Sequence, residues 1–454
     1  MDRFEYRDGG LWCEDAAVAD LARRFGTPLY VYSAGTLRDH YRKLAAAFAA
    51  LEPLICFSVK VCSNIHILRL LAEEGSGFDL VSGGELYRVI EAGGDPGRSC
   101  FAGVAKTDEE IRYALAKGIH LFNVESEEEL ENLARLAAET GRTARAALRV
   151  NPDVDPRTPP YVIPWIRDTW GYEPYVEPET HDHVITGKRK TKFGVDLERA
   201  ERVFRAFAGS PGARHVALAG IHIHIGSQIL SVDPYVEAVE KALGLVGRLR
   251  GAGLEVTSLD IGGGFGAHYE GGEALDADAF GRALVPLLRG ARLECIMEPG
   301  RFIAASAGIL VTRIQYVKEG GDRKFLLCDS GMHHLIRPAL YGSYHHVWPV
   351  EPGPDFVPSR RSRDERMPGT EVVDVVGPIC ESSDFLAKER HLPPVARGRL
   401  LAVFSAGAYG MVMASEYNSF PRPAEVLVEG GEARLIRRRG TYDDLIAPEQ
   451  NLSD

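Results

Sequence analysis

The sequence lacks several features that would assign it to a particular class of protein. No apolar run is long enough to span a bilayer, and the acidic amino terminus, "MDRFEYRDGGLWCED", has no apolar segment typical of a secretory signal. The seven cysteines include no C-x-x-C pair and no Cys/His spacing suited to zinc. We therefore expect a cytoplasmic protein with free thiols, no bound metal and no membrane segment.

Positive charge is also scarce. The 53 lysine and arginine residues are outnumbered by 64 acidic residues, and the formal net charge is -11. Because nucleic acids and anionic membranes attract basic surfaces, neither is expected as a main partner, although a local basic site for a small anion stays possible. With 454 residues, 45% hydrophobic and 26% charged, the chain is expected to form a globular protein of two domains.

Short β-rich runs alternate with amphipathic helices between about residues 50 and 300. Capping boxes at Thr107 with Glu110 and at Ser126 with Glu129 mark two helix starts, and Gly118 and Gly141 stand where those helices end. Eight strand-helix repeats favour an α/β fold of the (β/α)8 TIM-barrel type over an open α/β sheet, which is the alternative. The strand candidates are "LICFSVK", "GFDLVS", "SCFAG", "HLFNVE", "RAALRV", "LAGIHIHIG", "TSLDIGG" and "LECIMEP".

A different pattern follows the barrel. β-rich runs such as "AGILVTRIQYVKE" and "AEVLVEGGEARLIRRR" are separated by Pro- and Gly-rich turns, which predicts a second, antiparallel β domain. The early run "PLYVYS" can contribute a strand to it. We predict a barrel over residues 35–304 and a β domain built from 1–34 and 305–454. A proline- and aromatic-rich insertion, roughly residues 161–185, is expected to be an ordered lid or interface segment.

The stretch "PLICFSVKVCSN", residues 53–64, places a lysine in an otherwise uncharged run. Apolar residues occupy every second position from Ile55 to Val61, the period typical of a strand, and Lys60 is the one charged side chain. Burial disfavours the charged form of a lysine. We therefore expect the pKa of Lys60 to be lowered and its amine to be nucleophilic toward an aldehyde.

Polar, ionisable or glycine residues stand at the carboxyl ends of most predicted strands, where barrel enzymes build their sites. Each alone is weak evidence, but together they are hard to explain as packing. The positions are Lys60, Asp79, Ser82, Asn123, Arg149, His224, Ser227, Gly262 to Gly264, Glu298 and Arg301.

Three of these motifs point to a phosphate and a flat ring. The glycines of "LDIGGGFG" open backbone N–H groups to an anion, with a tight structural turn as the alternative. In "IMEPGR", Arg301 suits a phosphate or carboxylate and the buried Glu298 needs a partner, although the two can also form a structural ion pair. His222 and His224 share a strand face, but their partners are not grouped as metal ligands would be. His224 therefore fits a ring-stacking residue beside Ser227.

One cofactor requires all of these groups: a nucleophilic lysine, a carboxylate, a stacking residue and a phosphate-binding site. A carboxylate opposite a pyridine nitrogen keeps that nitrogen protonated, so the ring can accept electrons. These parts together specify pyridoxal 5′-phosphate (PLP).

With these residues in place, the chain resembles the alanine-racemase-fold (fold-type III) PLP-dependent decarboxylases, and within them the group that acts on diaminopimelate. The resemblance covers nearly the whole chain. Its cofactor half is carried by "FSVKVCSN", "FDLVSGGEL", "HIHIGSQI", "DIGGGFG" and "EPGR", and its more diagnostic carboxyl-terminal half by "RPALYGSYHH", "GPICESSDF" and "GAYGMVMASEYN".

The resemblance implies a role for each matching cofactor residue. Lys60 would bind PLP covalently with Asp79 beside it, His224 would stack on the ring, and Glu298 would pair with the pyridine nitrogen. The remaining cofactor contacts would come from Ser227, Gly262, Gly263, Gly264, Gly300, Arg301 and Tyr409.

The resemblance also implies a homodimer with shared active sites, in which "CESSDF" enters the partner's barrel. Cys380 would give a proton to the substrate's α carbon, so that Lys60, His224 and Cys380 would be the catalytic residues. Glu381 would bind the substrate's amino group, and Tyr409 would contact substrate as well as cofactor. The distal carboxylate would be held by Arg301, Arg337 and Tyr341.

The implied reaction is decarboxylation of meso-2,6-diaminopimelate to L-lysine and CO2, the last step of lysine biosynthesis. The residue chemistry agrees, since Arg337 and Tyr341 suit a carboxylate and Glu381 suits an ammonium group. Two alternatives stay open: a related PLP decarboxylase acting on lysine, ornithine or a siderophore or antibiotic precursor, and a catalytically silent homologue. Two features depart from the family, the long insertion and His333, where relatives commonly carry asparagine.

Overall fold

The computed structural model describes residues 2–155, 186, 191–270 and 276–452, so the insertion at 161–185 lies outside the described residues. Among the helices of this described part, none has the length and apolar character needed to cross a membrane. The strands are β1 (Phe4–Arg7), β2 (Gly10–Cys13), β3 (Ala16–Ala17), β4 (Leu29–Ser33), β5 (Leu54–Ser58), β6 (Gly77–Leu80), β7 (Ser99–Phe101), β8 (Leu121–Val124), β9 (Ala144–Asn151), β10 (Val195–Asp196), β11 (Val216–Ile223), β12 (Ser258–Asp260), β13 (Glu294–Met297), β14 (Gly308–Gly320), β15 (Arg323–Cys328), β16 (Val347–Pro349), β17 (Glu371–Val376), β18 (Phe385–Leu392), β19 (Leu400–Val403), β20 (Ala424–Glu429) and β21 (Glu432–Arg437). The α-helices are Val18–Phe25, Ala34–Ala47, Ile65–Glu73, Gly83–Glu91, Asp108–Lys117, Glu127–Thr140, Leu197–Ala208, Asp233–Gly251, Ala277–Arg289, Arg301–Ala304, Arg337–Tyr341 and Tyr442–Ile446.

Eight parallel strands close into a barrel. The last of them, β13, pairs with the first, β5, where Met297 lies opposite Ile55. Closure confirms the predicted (β/α)8 barrel and rules out the open sheet, which would leave two unpaired edges. The strands follow one another around the barrel in the order β5, β6, β7, β8, β9, β11, β12 and β13, and each corresponds to one of the eight predicted runs.

The alternation in β5 sorts its side chains between two environments. Ile55 and Phe57 belong to the main hydrophobic core, whereas Leu54 and Cys56 belong to a separate buried cluster shared with β7, β8, β9 and β13. The period-two interpretation is therefore confirmed for this strand.

The prediction that the strand continues through Lys60 is wrong. The strand ends at Ser58, the last residue that pairs with β6, and Val59–Val61 form a 3-10 turn closed by the Cys62 N–H and the Val59 carbonyl oxygen. Lys60 thus approaches the end of the barrel from a turn. From this turn its Nζ reaches the Asp79 carboxylate of β6.

The second domain is a mainly antiparallel sheet with the order β18, β17, β15, β14, β4, β20 and β21. Its two parallel pairings are β15 with β17 and β4 with β20. The run "PLYVYS" forms β4, and Val31 lies opposite Ile309 of β14, which confirms that a segment before the barrel contributes to this sheet. The exact division at residues 34/35 and 304/305 stays a prediction.

Two helix starts follow the predicted capping chemistry to different degrees. Thr107 and Glu110 form a complete capping box, each side chain accepting from the other residue's backbone N–H. Ser126 accepts from the Glu129 N–H, but the Glu129 carboxylate accepts instead from the Glu125 N–H and from Lys106. The second box is therefore only half formed, because a buried lysine competes for its carboxylate.

Candidate active site

A cavity of about 500 Å³ opens where the barrel strands end. Residues of the barrel and of the second domain line it together, which places the two halves of the resemblance around one space. The predicted site residues on its wall are Lys60, His224, Ser227, Glu298, Arg301, Arg337, Tyr341 and Tyr409.

Lys60 lies in this cavity beside a buried carboxylate. Its Nζ donates to Asp79 Oδ2 at 2.6 Å, and Asp79 is fully buried. Burial alone would lower the pKa of Lys60, but the carboxylates of Asp79 and Glu298 act against it and raise that pKa above its usual value. The expected lowering of the lysine pKa is therefore wrong, because the chain supplies two anions at this depth.

Lys106, a second buried lysine, does not compete for the same role. Its Nζ donates to the carbonyl oxygens of Gly103 and Asn123 at 2.7 and 2.8 Å and to Glu129 Oε1 at 2.7 Å. An ammonium group has three N–H donors, so this one is fully used in the wall of the barrel.

Polar side chains contact both carboxylate oxygens of Glu298. The Asn123 Nδ2 donates to Glu298 Oε1 at 3.1 Å and to Asp260 Oδ2 at 3.0 Å, while His222 Nε2 lies 3.3 Å from Glu298 Oε2. Burial would raise the pKa of Glu298, but His222 and Lys60 lower it well below its usual range. Burial and the neighbouring Glu298 raise the pKa of Asp260 to about 8. Within this buried pair, Glu298 therefore favours the ionised form, and its charge raises the pKa of Asp260.

His224 is held as a neutral ring. The Gly263 N–H donates to its Nδ1 at 3.1 Å, and burial, helped by Arg149 and Lys60, lowers its pKa well below the usual value. Because Nδ1 accepts, the ring proton belongs on Nε2.

The prediction that His222 and His224 lack grouped partners is wrong. One ligand atom each of His222, His224 and Glu298 lies within 4.8 Å of the others, a spacing that a metal ion tolerates. The signal was hidden because Glu298 follows β13, far from β11 in sequence. That the site works without a metal stays a prediction.

The glycine turn after β12 is required by close packing. A Cβ at Gly263 would lie 2.1 Å from the Glu298 carbonyl oxygen, and one at Gly264 would lie 2.3 Å from the Gly226 carbonyl oxygen. The Gly262 N–H donates to Asp260 Oδ1 at 2.9 Å. The tight structural turn considered as the alternative therefore accounts for part of this motif, and its role toward a phosphate stays a prediction.

Two buried arginines, Arg301 and Arg337, line the cavity. Arg301 donates to Ser227 Oγ from Nε and Nη2 at 3.1 and 3.0 Å, and to the Tyr269 hydroxyl at 2.8 Å. The Arg337 guanidinium lies 5.5 Å from the Tyr269 ring and 5.8 Å from the Tyr341 ring. In the described part of the chain, neither guanidinium forms an ion pair with a carboxylate. Two cations buried without an anion indicate a site for an anionic group.

Two residues of this site were missed or given no role by sequence reasoning. Tyr269, a few residues after the glycine turn, was not predicted, because nothing in its local sequence indicates that its hydroxyl meets Arg301. Arg149 was noted at a strand end, and it lines the cavity while pairing with the buried Glu125 at 3.0 Å. Its Nε and Nη2 have no hydrogen-bond partner among the described residues, so it too can serve an acceptor in the cavity.

Cys380 and Glu381 lie on the surface, outside the wall of this cavity. The Cys380 Sγ lies 3.4 Å from Asn418 Oδ1. Glu381 accepts from Ser383 Oγ at 2.9 Å and from the Tyr417 hydroxyl. The structure thus separates these two predicted site residues from the rest within one chain.

Comparison with known proteins assigns the family. The model for the pyridoxal-binding domain of pyridoxal-dependent decarboxylases matches residues 34–164 and 172–305. The diaminopimelate decarboxylase of Pseudomonas aeruginosa is 45% identical over 452 residues, with 100% of each chain covered. The chain belongs to the diaminopimelate decarboxylase family.

Solved structures of the diaminopimelate decarboxylase family agree along the whole chain. The Helicobacter pylori enzyme in complex with L-lysine has a TM-score of 0.84 and 34% identity, covering 95% of this chain and 99% of its own. The enzyme of M. jannaschii in co-complex with L-lysine has a TM-score of 0.86 and 33% identity, covering 100% and 98%. The predicted barrel with a β domain, and the predicted decarboxylase class, are confirmed.

The predicted cofactor, PLP, is also confirmed by membership of the diaminopimelate decarboxylase family. The residues present fit it. A lysine amine, an ionised buried carboxylate and a guanidinium bound to a serine hydroxyl all face one cavity, and Arg149 has N–H groups without a partner among the described residues. An amine can react with the aldehyde, a carboxylate can accept the proton of the pyridine nitrogen, and guanidinium and hydroxyl groups can donate to the phosphate.

Proposed function

We propose that this protein decarboxylates meso-2,6-diaminopimelate to L-lysine and CO2, the last step of lysine biosynthesis, with PLP bound at Lys60. The observation that carries the substrate is the pair of buried guanidiniums, Arg301 and Arg337, in the same cavity as Lys60. A carboxylate at the far end of the substrate satisfies them. The ammonium end of lysine or ornithine would be repelled there.

Each cofactor residue is assigned to one part of PLP. When bound, PLP accepts the electron pair that is left as the α carboxylate departs as CO2. Lys60 Nζ holds the cofactor covalently next to Asp79, and the ionised Glu298 holds a proton at the pyridine nitrogen. Asn123 Nδ2 and His222 Nε2 each lie within 3.3 Å of one Glu298 oxygen, which supports the orientation of that carboxylate. His224, neutral and held by Gly263, would stack on the ring of the bound cofactor.

We assign the phosphate to the rim of the glycine turn, where Arg301 and Ser227 are already joined. The contacts proposed there are Ser227, Gly262, Gly263, Gly264, Gly300, Arg301 and Tyr409. Arg301 also faces the substrate's distal carboxylate together with Arg337 and Tyr341.

We propose a homodimer in which each chain completes the other's site. Cys380 and Glu381 are exposed and lie outside the cavity of their own chain, which supports a partner's cavity as their destination. There Cys380 donates a proton to the α carbon after CO2 has left, and Glu381 binds the amino group. We further propose that the enzyme works in the cytoplasm, without nucleic acid or membrane, and that residues 35–304 form the cofactor domain.

Release of CO2 by the purified protein with PLP tests this function directly. We expect CO2 from meso-diaminopimelate in an amount equal to the L-lysine formed, and far less from L-lysine or L-ornithine. A preference for lysine or ornithine would favour the related decarboxylase instead. No CO2 from any amino acid would indicate the catalytically silent homologue.

A further inference from the structure

The loop that carries Cys380 is fixed within its own chain. The Asp384 carboxylate accepts from the Met332 N–H and the Ile379 N–H, each at 2.6 Å. A Cβ at Gly331 or Gly377 would lie 2.2 or 2.5 Å from an Asp384 oxygen, so both glycines let the backbone close around this carboxylate. The contacts that shape this loop therefore come from its own chain.

A second turn holds the two functional side chains of that loop. Asn418 Oδ1 lies 3.4 Å from the Cys380 Sγ and 3.5 Å from the Cys380 backbone nitrogen. The adjacent Tyr417 donates its hydroxyl to the Glu381 carboxylate. Asn418 has a φ of 53°, a region that asparagine tolerates better than most residues with a side chain. One short turn thus positions both the thiol and the carboxylate.

We propose that Asn418 is a positioning residue for Cys380. Its amide oxygen accepts the thiol's S–H, which sets the direction in which the thiol points. The contribution to catalysis rests on the proposed function, in which Cys380 protonates the α carbon, whereas the contact itself does not. Within its own chain, the titratable groups that contact this loop are Glu381, Asp384 and Tyr417, and in the proposed dimer Cys380 also faces the partner's cavity, which is lined by lysine and arginine. The parent and its variants share that cavity, so a difference between their profiles reports on residue 418.

Alkylation of Cys380 by iodoacetamide gives a direct readout. All seven cysteines belong to the described residues and the other six are buried, so modification of the native holoenzyme reports on Cys380. In the proposed dimer this thiol faces the partner's cavity of about 500 Å³, which a reagent as small as iodoacetamide can enter. The Asn418→Asp variant keeps an oxygen acceptor and a residue that tolerates positive φ, but adds a negative charge. We expect the midpoint of the rate-against-pH profile to rise by about one unit, which slows alkylation about tenfold below the midpoint.

Asn451→Asp is the matched control, because Asn451 is an exposed asparagine with a φ of 55° near the end of the chain. Its profile should coincide with that of the parent. Asn418→Gly keeps the backbone conformation and removes the acceptor, so the thiol should alkylate about threefold faster below the midpoint. The same variant should lose at least about tenfold in kcat for CO2 release, with KM unchanged.

Profiles of Asn418→Asp and Asn418→Gly that both match the parent would overturn the proposal. An altered profile with unaltered kcat would also overturn it, because the thiol contact would then have no part in the reaction. If the parent releases no CO2 from any amino acid, the proposed function fails, while the alkylation profiles still establish whether Asn418 holds the thiol.

Discussion

At the scale of single residues, one cavity brings together groups of both charges. The carboxylates of Asp79 and Glu298 lie near Lys60, and burial and Glu298 raise the pKa of the neighbouring Asp260 to about 8. The guanidiniums of Arg301 and Arg337 line the same cavity. A molecule with a cationic ring nitrogen and a separate carboxylate would complement both sets of groups. Neither set alone would distinguish diaminopimelate from a shorter amino acid.

Replacing Arg337 by methionine tests whether its guanidinium binds the distal carboxylate of the substrate. The variant keeps the length and apolar stem of the side chain and removes the donors, so kcat/KM for meso-diaminopimelate should fall about 100-fold, as expected for roughly 2.7 kcal/mol of charged hydrogen bonding. CO2 release at varied substrate concentration measures this. Arg313→Met, in β14 with its guanidinium bonded to the Gly398 carbonyl oxygen, should leave kcat/KM unchanged. Equal losses in both variants would contradict the assignment of Arg337.

At the scale of elements, the turns position more of the site than the strands do. Lys60 lies on a 3-10 turn after β5, and the glycine turn after β12 packs against the Glu298 backbone. The strands supply the frame, and their ends bring these two turns together. A change in a turn is therefore expected to disturb the site even where no functional side chain is altered.

Gly263→Ala tests how tightly that turn is packed. Its Cβ would meet the Glu298 carbonyl oxygen at 2.1 Å, and since a backbone atom cannot move aside, the unfolding free energy should fall by about 2 kcal/mol. Urea denaturation measures it. Gly247→Ala is the control, because Gly247 lies inside the helix Asp233–Gly251 with open space around it, and alanine there should stabilise by about 0.5–1 kcal/mol. An unfolding free energy for Gly263→Ala equal to that of the parent would contradict this prediction, because the turn would then have room for a Cβ.

The strands were predictable from sequence because their pattern is local, and several site features were not because their causes are distant. All eight barrel strands follow from hydrophobic runs, and Gly118 and Gly141 end their helices in left-handed conformations as expected. The raised pKa of Lys60 depends on Asp79 and Glu298, which approach only in the folded barrel. The spacing of His222 and Glu298 was hidden for the same reason. The strand ends near which most cavity residues lie were foreseeable, whereas the turn that carries Lys60 and the electrostatics of the site were not.

At the scale of the whole molecule, five buried histidines away from Glu298 favour the neutral form. Burial lowers the pKa of each of these rings far below the usual value of 6.5. They are His40 and His333, with a pKa of about 4, and His334, His345 and His346, with a pKa of about 3. Because the unfolded chain takes up protons near pH 6.5 and the folded chain does not, stability is complete above that pH and declines as pH falls toward 4.

His346→Phe tests this dependence on a single ring. His346 stacks on Trp348, with ring centroids 5.6 Å apart, so an apolar ring keeps much of the packing. We expect the parent to lose unfolding free energy steadily from pH 7 to pH 5. The variant should lose about 1.4 kcal/mol less per pH unit below 6.5, the effect of one proton. Urea denaturation at pH 7, 6 and 5 measures both slopes, and parallel slopes would contradict a neutral His346.

Closure of the barrel between β13 and β5 also has a consequence for synthesis. Ile55 pairs with Met297, so one edge of the first barrel strand stays unpaired until residue 297 of 454 has left the ribosome. Until then Lys60 and Asp79 exist without Glu298, the carboxylate proposed for the pyridine nitrogen. Because such distant pairings form late, we expect the complete cofactor site to form only after about two-thirds of the chain has been synthesised.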